Sequence, residues 1–137
     1  MIRFADYIQV PFEALKTVVD NVYLNNPQAV ADKVSEYAVI APSNYVSNRE
    51  MDTSGEFDHY VTSVTIALFV RDKKTSKATG QMNILKIDAL LKKVLALFPI
   101  ADKEKNVKVN RPRVTLSTSD GDGWHYTIIT ARLTTYF

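Results

Sequence analysis

From Tyr60 to Arg71 the chain reads Tyr-Val-Thr-Ser-Val-Thr-Ile-Ala-Leu-Phe-Val-Arg, rich in β-branched and aromatic residues and free of glycine and proline. Such a run fits a pleated strand and little else. Thr62, Val64, Ile66, Leu68 and Val70 fall on one face, and Val61, Ser63, Thr65, Ala67 and Phe69 on the other. The first face is apolar and the second only moderately polar. A long strand of this kind belongs to a sheet whose second face, with Thr65 and Phe69, is expected to meet another subunit.

The C-terminal third carries a second β signal. Arg113 to Ser119 and Trp124 to Phe137 are β-rich runs around Asp120-Gly121-Asp122-Gly123. An Asp-Gly pair between such runs predicts a hairpin, because glycine takes positive φ without steric cost. Tyr37 to Ile40 is a shorter β-favouring run, and Ser47 to Glu56 is a polar excursion that reads as a loop or a solvent-reaching hairpin tip.

Two amphipathic stripes accompany the strands. Phe12, Leu15, Val18, Val19 and Val22 recur at spacings of three and four between Pro11 and Leu24, with Pro11 suited to the first turn. Ala29 to Glu36 has the pattern of a second, short helical piece. Ile84, Ile87, Leu91, Val94, Leu95 and Phe98 make a broader stripe over Met82 to Phe98, with Lys86, Lys92 and Lys93 facing away and Pro99 as a stop. Asp72 to Gly80 reads as a charged connector, and Ala101 to Pro112 as a polar, basic segment. The expectation is an α+β fold: an antiparallel sheet packed against two main helices, in the order helix-strand-strand-helix-hairpin.

Length and composition set the frame. At 137 residues, with 46% hydrophobic and 23% charged residues, the chain is expected to form a single domain over residues 1–137 with one core. A net charge of +2 is too balanced for a protein whose main task is to grip nucleic acid, and no sequence-specific nucleic-acid partner is expected. The absence of cysteine excludes a thiolate zinc site and a cysteine nucleophile. No apolar stretch reaches the roughly 20 residues of a membrane helix, and Met1 to Val10 does not have the pattern of a signal peptide, so a soluble protein made in a cytoplasm is expected.

Sites of chemistry are sparse. An EF-hand loop with Gly123 at its sixth position would place Ile129 at the twelfth, where a bidentate carboxylate is required. Glycine-rich phosphate loops and nucleophile elbows are absent. His59 and His125, the two histidines, each sit beside a predicted strand end, with Asp58 next to the first. They would build a two-histidine metal site or an acid-base pair only if their strands bring them together. No cofactor and no enzymatic activity are expected.

The serial order of elements is the remaining clue: amphipathic helix, the strand Tyr37-Ala38-Val39-Ile40, the excursion with Asn48-Arg49-Glu50, the strand Tyr60 to Arg71, the helix Met82 to Phe98, then the hairpin. This order resembles that of the tail-terminator, or tail-completion, proteins of long-tailed bacteriophages, the minor-tail-protein-U-like family. The resemblance implies a virion structural protein that forms a homo-hexameric ring at the head-proximal end of the tail, stops tube growth and joins tail to head. Its partners would be itself, the tail tube protein and the head-tail connector protein. By position, Asn48, Arg49 and Glu50 in the excursion and Lys73, Lys74 and Lys77 in the connector are the contact candidates. The basic segment Lys103 to Arg113 has no counterpart in that pattern. The alternatives are another neck protein or, in a different class, a small α+β enzyme or ligand-binding domain using His59 and His125.

Overall fold

The protein's structure is a computed structural model that describes residues 4–25, 34–42, 47–51, 57–73 and 81–136. Among the described residues two helices, α1 (Phe4–Lys16) and α2 (Ile84–Leu95), accompany seven strands: β1 (Val22–Leu24), β2 (Glu36–Pro42), β3 (Ser47–Met51), β4 (Phe57–Arg71), β5 (Ile100–Asp102), β6 (Val107–Ser119) and β7 (Trp124–Tyr136). They form one sheet in the order β1-β2-β4-β7-β6-β5, with β3 also paired to β4. The sheet curls into a half-barrel.

This overturns the expected α+β helix-strand-strand-helix-hairpin arrangement. Among the described residues strand far outweighs helix, and the sheet is mixed, because β1 runs parallel to β2. Strand content escaped detection in three places. The stripe expected to be helical through Leu24 ends at Lys16, where Thr17 and Val18 donate to the Ala14 and Leu15 carbonyls in a tightened turn. Val22 keeps the helical spacing by coincidence, and it belongs to β1.

Within the polar excursion, Ser47–Met51 pairs with β4 as β3, on the edge of β4 that β2 also occupies. In the basic segment, Val107 and Val109 are buried while Lys108 between them is exposed, which is the alternation of a strand. β5 and β6 form a hairpin there. Asp102 Oδ1 accepts from the Glu104 and Lys105 amides, and Asn106 takes the left-handed conformation at φ 56°.

The first helix also begins earlier than its stripe implies, so Pro11 lies inside α1 rather than in its first turn. Proline has no N–H for the helical ladder, and buried Ile8 and Val10 on the preceding turn carry the helix through it. Of the short helical piece expected over Ala29 to Glu36, residues 29–33 lie outside the described residues, and Glu36 opens β2. The second helix is as expected but shorter. Asn83 caps its start by accepting from the Lys86 amide, and Lys92 and Lys93 sit in its last turn, complementing the helix dipole.

The register fixes what the sheet presents on each face. Ala38, Ile40, Val64, Ile66, Leu68, Val70, Ile129, Ala131 and Leu133 point to one side, where Leu15 of α1, Val19 in the turn that follows it, and Leu90 and Val94 of α2 close over them. Leu90, outside the expected stripe, is 1% exposed. One cross-strand row runs the width of this face: Leu24 opposite Ile40, Ile40 opposite Ile66, Ile66 opposite Ile129, and Ile129 opposite Val114. The three isoleucines are fully buried, whereas Leu24 and Val114, on opposite margins of the sheet, are 46% and 42% exposed.

Candidate assembly surfaces

At one end of the sheet the face opposite the helices carries an aromatic cluster. Tyr37 stacks on Phe69 with centroids 4.6 Å apart, Trp124 and Tyr23 meet the Tyr37 ring edge-to-face at 5.0 and 5.7 Å, and Tyr126 tilts against Phe69 at 5.5 Å. β2, β4 and β7 supply Tyr37, Phe69 and Tyr126 as direct cross-strand neighbours. The Arg71 guanidinium lies over Trp124 at 4.3 Å while its Nε donates to the Val34 carbonyl. Burial raises the Tyr37 hydroxyl pKa above its ordinary value, Asp120 and Tyr23 add to the rise, and Arg71 opposes it.

The same end is laced to the β6–β7 turn. Asp72, buried at the exit of β4, lies 2.5 Å from His125 Nδ1 through Oδ1, and its amide donates to the Gly123 carbonyl. The turn is a hairpin, as its Asp-Gly sequence predicts. Asp120 Oδ1 accepts from the Asp122 and Trp124 amides, and Gly121 and Gly123 hold φ of 85° and 89°. Side chains at those two positions would be strained.

His59 and His125 do not meet. His125 pairs with Val70, and His59, eleven residues away on β4, pairs with Tyr136. About 35 Å of strand separates them. Among the described residues no group of three or more His, Asp or Glu is placed to hold a metal ion. The partnership of Asp72 with His125 joins residues 53 apart in sequence and has no local signature.

The other sequence candidates are scattered. Asn48 and Glu50 pair with Tyr60 and His59 in the β3–β4 ladder, with Arg49 at a register shift between them. Lys73 makes an isolated bridge to Gln81, and Lys74 and Lys77 lie outside the described residues. Thr65, half-buried, sits between Ala41 and Thr130, and Phe69 belongs to the aromatic cluster, where it stacks on Tyr37. Sequence reasoning missed the large apolar side chains left in solvent. Among the described residues these are, besides Leu24 and Val114, Met82, Ile84 and Leu85, the last two 65% and 78% exposed at the start of α2. Ile84 falls in the apolar stripe by spacing, but the helix meets the core farther along, through Ile87, Leu90, Leu91, Val94 and Leu95.

No family model matches the chain, and no curated protein matches it. The fold recurs among solved structures, of which 28 chains match. One of them is 16% identical, covers 97% of this chain and 92% of its own length, and superposes with a TM-score of 0.56. At that identity the likeness is one of fold.

Proposed function

We propose that the protein is a structural subunit of a bacteriophage or prophage virion, a tail terminator that associates head to tail into a homo-hexameric ring. In this reading it caps the tail tube at its head-proximal end, with the tail tube protein and the head-tail connector protein as neighbours. The observation that carries it is the pair of exposed ends of one apolar row, Leu24 on β1 and Val114 on β6. A ring is built from heterologous contacts, which require two different patches on each subunit. Large apolar groups in solvent on opposite sheet margins meet that requirement, and exposed apolar groups clustered at Met82, Ile84 and Leu85 add a further contact region.

The test is self-association measured by light scattering, with and without tail tube protein, on Leu24→Lys and Val114→Lys variants. Each variant alone is expected to stay monomeric, and an equimolar mixture is expected to form dimers, because one intact interface remains between them. A parent protein that stays monomeric at high concentration and in the presence of tail tubes refutes the ring. Dimers formed by either variant alone refute the head-to-tail geometry.

A further inference from the structure

We infer that the sheet face opposite the helices, at the end away from the aromatic cluster, binds the phosphate backbone of nucleic acid without regard to sequence. The overall charge of +2 conceals a segregation. Lys108 pairs with Thr134, Asn110 with Arg132, and Arg113 with Thr130, so Lys108, Arg132 and Arg113 share one face. Arg132 stands diagonal to both other cations, at the roughly 7–8 Å of a diagonal cross-strand pair. The next strand adds Val61, Ser63 and Thr65 opposite Thr134, Arg132 and Thr130, and contributes no carboxylate.

None of the three cations has an ion pair among the described residues, and Arg132 Nε is buried without a hydrogen-bond partner. Structural arginines at such depth are ordinarily paired. Lys108 and Arg113 are exposed, and Ser63, Thr130 and Asn110 place hydroxyl and amide groups among the cations. Phosphate oxygens accept from all of these donors. An anionic membrane surface fits less well, because an interfacial binder presents large apolar side chains beside its cations. Here the exposed Val114 points to the opposite face, in the row with Ile129. Among the described residues the rings farther along the sheet, Tyr37, Phe69, Tyr126 and Trp124, engage one another, and the inferred contact with phosphate is electrostatic. This inference does not depend on the ring reading.

The experiment is fluorescence anisotropy with a labelled random-sequence DNA duplex and the full chain, over a series of salt concentrations. Three phosphate contacts give a slope of log K against log salt of about −2.7. In Lys108→Gln/Arg113→Gln, both at exposed positions, the slope is expected to fall to about −0.9, with circular dichroism unchanged. Lys103→Gln/Lys105→Gln, in the β5–β6 turn, is expected to leave it intact. The inference is overturned if the duplex does not bind at low salt, or if the turn variant lowers the slope and the sheet variant does not. Binding to phosphatidylserine vesicles that equals binding to the duplex also overturns it.

Discussion

The two faces of the sheet solve different problems. The face under the helices is aliphatic and closed: Ile40, Ile66 and Ile129 are fully buried in register, and Leu15, Val19, Leu90 and Val94 seal them. Among the described residues no helix lies over the opposite face, which divides along its length, aromatic rings at the Trp124 end and cations with hydroxyl groups around Arg132. Most of the buried aliphatic core therefore lies on one face, while the other exposes Ser63, Lys108, Arg113 and Thr130 beyond its own rings.

The largest effect expected on this contrast comes from Ile129→Ala. Truncation of a fully buried isoleucine costs about 2–5 kcal/mol, read from the midpoint of urea unfolding. Asp72→Ala, which leaves His125 without its partner at the sheet end, is expected to cost about 1–3 kcal/mol. Phe69→Ala on the open face should cost less, about 1–2 kcal/mol, from one lost aromatic pair and partial burial. If Phe69→Ala matches Ile129→Ala in urea, the open face is a second core and the contrast collapses.

The smallest effect is pH-dependent. The Tyr37 pKa is raised above its ordinary value of 10.0 in the folded chain, so its contribution to stability is fully present below that pH and is lost as pH rises past it. Tyr37→Phe should flatten the alkaline end of a stability-against-pH curve and leave neutral pH nearly unchanged. A parallel shift at all pH values would show that the ring and not the hydroxyl matters there.

Much of this division can be read along the chain, and some cannot. The alternation of β4, the stripe of α2 and the Asp-Gly turn are local patterns whose periods match the elements they form. β1, β3 and β5 are short, and their residues are polar or imitate another period. Val22 continues a helical spacing, and Lys108 sits between two buried valines within a run of charges. The site features were hidden for a related reason. Asp72 with His125, and Arg132 between Lys108 and Arg113, become neighbours only through register between strands far apart in sequence. Composition averages out the segregation of charge that pairing creates.

The placement of β7 between β4 and β6 has a kinetic meaning. Its ladder with β4 pairs residues from Trp124 with Arg71 to Tyr136 with His59, so every rung closes a loop of 53 to 77 residues. Loop closure at that separation is paid before the contacts return it, and folding dominated by such contacts runs in milliseconds to seconds. Until β7 docks, the long edge of β4 that it covers stays bare, a template for pairing with any other strand. The yield of soluble protein should therefore follow how fast β7 finds β4, and respond more to chain concentration during folding than to the stability of the finished sheet.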